Sequence, residues 1–165
     1  MVSGGYQDRI LRVDLSTERI TTEHLPPEDV LRKFIGGTGL GVYYLLREIP
    51  ADVQATDPRA PLMFMTGPLA GTAAPSSANW VTICLHFSIP YAAGIGHGHG
   101  FWAARLKHAG YEGIIVTGRA SRPVYLWIDD ERVELRDAAK FWGLGTRETE
   151  RRIKDELGDS ARISV

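Results

Sequence analysis

Short apolar runs recur along the chain, and Gly, Pro, Asp or Ser interrupts each one after a strand's length or a few helical turns. This punctuation limits the fold to short elements joined by many turns. Residues 6–15 alternate, with Ile10, Arg12 and Asp14 set against Leu11, Val13 and Leu15, which is the period-two pattern of a half-buried strand. Residues 16–18 supply a turn and residues 19–25 a returning strand, so the chain is expected to open on a β-hairpin. Residues 124–128 and 132–135, joined through Asp129 and Asp130, read as a second hairpin. Further strands are expected at residues 62–66, 80–86, 113–117 and 161–165.

Helical spacing appears in four places. Pro26, Pro27, Glu28 and Asp29 start the first helix, carried by Val30, Leu31, Phe34 and Ile35 and ended by Gly36 and Gly37. A second begins at Thr38 or Gly39 and stops before Pro50, a third covers residues 101–108, and an amphipathic fourth covers residues 146–157. Strands outnumber helices and arrive partly as hairpins. The class is therefore α+β, with antiparallel sheet favoured over a doubly wound parallel one.

The 165 residues, 44% apolar and 24% charged, suit one soluble domain with a proper core. No apolar stretch approaches the roughly 20 residues that a membrane span needs, and no secretory leader pattern opens the chain. A cytoplasmic location is expected. A net charge of -1 excludes an electrostatic footprint for nucleic acid. The single cysteine, Cys84, cannot form an internal disulfide or hold a cluster that takes four thiolates. It reads as a small apolar residue in a strand.

Two segments rich in small residues, 67–77 and 94–100, are the candidate binding loops. Glycines let backbone N–H groups approach a ligand closely, and the second segment leads into a helix whose N-terminus favours an anion. Gly96, His97, Gly98, His99 and Gly100 match neither a dinucleotide fingerprint nor a phosphate-binding P-loop. The spacing of His97 and His99 is also wrong for a helical zinc pair, so no metal site and no catalytic residue is assigned.

The ordered set of motifs resembles the N-terminal domain of the aldehyde:ferredoxin oxidoreductase family. It comprises ILRVDLST at residues 10–17, FIGGTGL at 34–40, TGPLAGT at 66–72 followed by Ala74 and Pro75, GFWA at 100–103, Leu106 with Lys107, AGY at 109–111, PVY at 123–125 and ELRDA at 134–138. The GFWA variant is similar to the benzoyl-CoA-reductase-type branch of the same superfamily. The resemblance implies two β-sheets with a few flanking helices, cradling tungsten or molybdenum held by two pyranopterin dithiolenes. It places Ser76, Asn79, Gly96, His97, Gly98, His99 and Gly100 against the pterin and its phosphates. Asn79 stands where the family commonly has an arginine, and a neutral amide is a weaker phosphate partner than a guanidinium. The family's Asn-Ser-Gly-Gly stretch is met by residues 97–100 with a one-residue offset.

By the same resemblance, the 4Fe-4S cluster belongs on another segment or chain. The expected partners are C-terminal domains or a second subunit carrying that cluster, and a ferredoxin-type electron carrier. The whole chain, residues 1–165, is expected to be one cofactor-binding domain cut short at its C-terminal end, inactive alone in aldehyde oxidation. An open cofactor side favours a homo-oligomer or a complex. The alternative is a non-catalytic interaction or scaffold protein that keeps the fold without the cofactor.

Overall fold

Alternation becomes strand in both predicted hairpins. The structure, a computed structural model, describes residues 4–89, 91–158 and 164–165. Strand β1 (Arg9–Asp14) pairs antiparallel with β2 (Arg19–His24). The Asp14 carboxylate accepts the backbone N–H groups of Ser16 at 2.8 Å and Thr17 at 3.4 Å, tying the turn. The Thr17 hydroxyl and the Ser16 amide hold that carboxyl below its usual range.

Helix α1 (Glu28–Phe34) follows Pro27, with Glu28 and Asp29 in its first turn and Arg32 and Lys33 in its last, as the helix dipole prefers. It ends differently from the expectation: its C-cap, Ile35, already takes a positive φ of 60° with ψ -75°, ahead of Gly36 and Gly37. Gly36 is needed for a different reason, since a Cβ there would lie 3.0–3.2 Å from Pro68, Gly67 and the Thr66 carbonyl. Helix α2 (Gly37–Glu48) then buries Leu40, Gly41, Tyr44 and Leu45.

Strands β3 (Leu62–Thr66), β4 (Asn79–Leu85), β5 (Ala93–His99) and β6 (Gly113–Thr117) complete a six-stranded sheet in the order β2-β1-β6-β3-β4-β5. Its neighbours run antiparallel except β1 and β6, which are parallel and register Ile10 opposite Gly113. One face packs Ile10, Met63, Met65, Val81, Ile83 and Ile115 against α1 and α2. The other packs Leu11, Val13, Ile114 and Phe64 against α3 (Trp102–His108) and the hairpin of β7 (Val124–Asp129) and β8 (Arg132–Asp137). That hairpin is the second sheet, and α4 (Thr146–Leu157) seats Ile153 on a separate small cluster with Ala138 and Phe141.

The α+β class with two sheets and flanking helices is therefore as expected. The strand expected over residues 161–165 lies, but for its last two residues, outside the described residues. Among the described residues, no helix is long and apolar enough to cross a membrane.

Candidate functional site

One end of the large sheet carries Asn79 and His99, two of the residues singled out by sequence. Across that end, Ile10 faces Gly113, Met65 faces Gly113, Thr66 faces Trp80, and Asn79 faces His99. At that end the α1–α2 junction at Gly36 meets the root of the 67–77 loop at Pro68, and β5 turns into α3 at Gly100.

The 67–77 segment is a loop, as expected, and it is organised by its own bonds. Gly71 N–H donates to the Ser77 carbonyl at 3.3 Å, and the Ser77 hydroxyl donates to the Thr72 carbonyl at 2.9 Å. The Thr72 hydroxyl donates to Leu69 at 2.7 Å. On its inner side Gly71, at φ 76°, lies against Ala104 and His108 of α3, whose Nε2 is 3.3 Å from the Gly71 carbonyl oxygen. Gly67 has open space where a Cβ would stand. Ser76 is exposed and itself adopts a positive φ of 59°.

The 94–100 segment is not a loop. Residues 93–99 form the edge strand β5, paired with β4 along its whole length, and only Gly100, at φ 102°, makes a turn. The reason is the alternation of its side chains. Ile95, His97 and His99 share one face, while Gly94, Gly96 and Gly98 share the other, opposite Cys84, Thr82 and Trp80. A Cβ on Gly98 would overlap the Trp80 indole, and one on Gly96 would come within 2.8 Å of the Thr82 hydroxyl. Trp80 fills the glycine face and packs against Trp102 at 4.9 Å and Phe64 at 5.9 Å between ring centroids. Gly96 and Gly98 are thus accounted for by packing, in the manner of an aromatic covering a strand glycine. The expected anion-binding helix start is also weak: α3 has seven residues, and Phe101 at its N-cap makes no side-chain cap.

Pairing of β4 with β5 joins two candidates twenty positions apart. His99 Nδ1 and Asn79 Oδ1 are 2.6 Å apart, so the imidazole N–H donates to the amide oxygen. This bond uses neither the Asn79 NH₂ group nor His99 Nε2. His97 stands two residues away on the same face, opposite Val81, and is exposed. The other histidines are elsewhere: His86 Nδ1 accepts from the backbone of Ser88 and Ile89 at the β4–β5 turn. Among the described residues, no group of three or more His, Cys, Asp or Glu could hold a metal ion.

An open hollow of about 330 Å³ lies at the opposite end of the sheet, between Arg12, Asp14, Arg19, Thr21 and Thr117. The Arg12 guanidinium there is already paired with Glu48 at 2.5 and 2.6 Å and with Glu23 at 2.8 Å, which leaves it a structural cation.

Sequence reasoning missed the buried ion pair behind the rim. Lys107 Nζ donates to Glu112 Oε2 at 2.6 Å, and their side chains are 2% and 0% exposed. The signal was present: Lys107 falls four residues after buried Ala103, on the inward side of α3.

Residues 10–165 match the family described as aldehyde ferredoxin oxidoreductase, N-terminal domain. The chain belongs to that family. It is 43% identical to a tungsten-containing aldehyde ferredoxin oxidoreductase of Pyrococcus horikoshii over 155 residues, 94% of this chain and 25% of the relative. It is 36% identical to the aliphatic sulfonate oxidoreductase WOR-like subunit of Pyrococcus furiosus, covering 95% of this chain and 25% of that protein. Among solved structures, the active-site complex BamBC of benzoyl coenzyme A reductase, in complex with 1,5-dienoyl-CoA, superposes with a TM-score of 0.90 at 31% identity. That match covers 98% of this chain and 24% of the other. The aldehyde ferredoxin oxidoreductase-type chain thus spans about a quarter of the length of the relatives it matches.

Proposed function

We propose that this chain is the pterin-binding domain of an aldehyde ferredoxin oxidoreductase-type tungsten or molybdenum enzyme. Further domains or a second subunit supply the iron–sulfur cluster and the acceptor contact, and the chain is inactive alone. The observation that carries the reading is the Asn79–His99 pair, exposed at the open rim beside a loop of small residues in a chain of this family. The chemistry of the exposed candidates fits a phosphate-bearing group: an amide NH₂ from Asn79, imidazoles from His97 and His99, and a hydroxyl from Ser76.

When bound, the metal-pterin group supplies two-electron chemistry between an aldehyde and the iron–sulfur acceptor. The chain's own part is binding and orientation. His99 orients Asn79 through the 2.6 Å bond, and the amide then donates to an anionic oxygen. Thr66 anchors the root of the 67–77 loop, donating from Oγ1 to the Glu112 carbonyl at 2.7 Å. Gly98 makes room for the Trp80 indole and Gly96 for the Thr82 hydroxyl, so both are accounted for by packing within the sheet. Exposed Phe101 and Leu69, 78% and 62% accessible, suit cover by further domains or by a second copy.

Metal analysis and pterin fluorescence on the chain, purified alone and co-expressed with the products of its neighbouring reading frames, test the proposal. Tungsten or molybdenum with pterin in the co-expressed sample is expected. Folded, colourless protein free of both in both samples would sink it and leave the scaffold reading.

A further inference from the structure

Behind the rim, residues 5–7 lie across the buried Lys107–Glu112 pair as a strap. Lys107 Nζ donates to the Gly5 carbonyl at 2.5 Å, and Gln7 N–H donates to Glu112 Oε2 at 3.0 Å. Each charge therefore makes one bond to its partner and one to the strap, and Glu112 Oε1 also accepts from the Thr66 hydroxyl at 3.5 Å. A strap residue also touches each connection it crosses. Gly5 presses so closely on the Pro68 carbonyl that a Cβ there would overlap it. The Tyr6 hydroxyl donates to the Ile35 carbonyl at 2.6 Å, at the residue that bends α1 into α2 with a positive φ. Burial, with the Glu112 carboxylate adding to it, raises the Tyr6 phenol above its usual range, which keeps it a donor.

Glu112 reaches the loop root by a second route. Its carbonyl accepts from both the backbone N–H of Thr66, at 3.0 Å, and the Thr66 hydroxyl. Its own N–H donates to Arg9 at 2.7 Å. A buried ion pair is a poor source of net stability, because desolvation offsets most of the Coulomb attraction. Such a pair is better suited to holding a unique arrangement of the segments that satisfy it. Residues 5–7 also precede the family match, which begins at residue 10.

We infer that the strap of residues 5–7, clamped by Lys107 and Glu112, is a positioning device that fixes the 67–77 loop and the Ile35–Gly36 bend, and so sets the shape of the rim. Its consequence for cofactor binding rests on the function proposed above; its consequence for loop order does not.

Two variants of the full chain test it by segment-resolved amide hydrogen exchange. Lys107→Met/Glu112→Leu removes both charges while keeping buried volume, a replacement that is often tolerated. Removal of residues 1–7 leaves the pair and cuts the strap, and it carries the test if the first variant does not fold. Exchange in residues 67–77 and 34–38 is expected to rise about tenfold, while residues 11–13 and 114–116 keep their protection. Unchanged exchange in the loop overturns the inference, as does uniform acceleration in every segment, which marks a merely structural pair. For chain loaded with metal-pterin, the double variant is expected to retain less of it at an unchanged melting temperature. Full retention would remove the link to the cofactor. A wild-type chain that loads none would remove the proposed function and leave the exchange result standing.

Discussion

The 67–77 and 93–99 segments are both built from small residues, and they do opposite things. In the first, small residues follow one another without alternation, and the backbone closes on itself through Gly71, Thr72 and Ser77. In the second, glycine occupies every other position, and the empty face is filled from the next strand by Trp80 and Thr82. The comparison shows that a glycine's spacing, rather than its abundance, decides whether it bends the chain or makes room for a neighbour.

The sharpest way to break this comparison is Gly98→Val, because the new side chain must displace the Trp80 indole. Overpacking of this kind costs about 3 kcal/mol, measured by urea unfolding. A ligand-cradling loop would instead show little change in stability. The next effect is the coupling between the two positions: in a Trp80→Ala background, the cost of Gly98→Val should fall by about 1–2 kcal/mol. Additive costs would mean that Trp80 is not what makes Gly98 necessary.

Within the loop the expected changes are smaller. Gly71→Ala places a Cβ at φ 76° against Ala104 and His108, and a loss of about 1 kcal/mol is expected in the same unfolding assay. Gly67→Ala meets nothing and should stay within about 0.5 kcal/mol. A loss as large as that of Gly98→Val would erase the contrast between the segments.

The smallest effect is a pH control outside both segments, neither of which contains a carboxylate. In α4, hydrogen bonds from Arg151, then Arg152, lower the Glu148 carboxyl from its ordinary 4.5 to about 2. Its contribution is present in full above pH 4.5 and is lost as pH falls through about 2. Helical NMR signals of α4 should therefore weaken across that window while those of β5 and the 67–77 loop stay fixed. Parallel weakening in all three would show that acid acts on the whole fold.

Much of the architecture was legible from local pattern. The alternation of residues 6–15 became β1 with its hairpin partner, and the helix expected to begin at Thr38 or Gly39 and stop before Pro50 became α2. Two departures involve glycine. Gly94, Gly96 and Gly98 carry no side chain, so their alternation with Ile95, His97 and His99 gives no apolar signal and was taken for a loop. At the end of α1, Gly36 and Gly37 were taken as the terminators, whereas Ile35 is where φ first turns positive and Gly36 provides clearance for Pro68. The site was legible only as separate residues: Asn79 and His99 were both candidates, but their bond needed the register of β4 with β5.

The chain by itself determined its short elements, its turns and its family, because each depends on residue types within a few positions of one another. Tertiary structure alone decided that β1 lies parallel to β6, that Trp80 occupies the face left empty by Gly98, and that Lys107 and Glu112 hold Gly5 and Gln7. Those pairings join groups up to 105 positions apart, as from Gln7 to Glu112. Such distant groups meet only when burial and hydrogen-bond satisfaction are resolved for the whole chain at once.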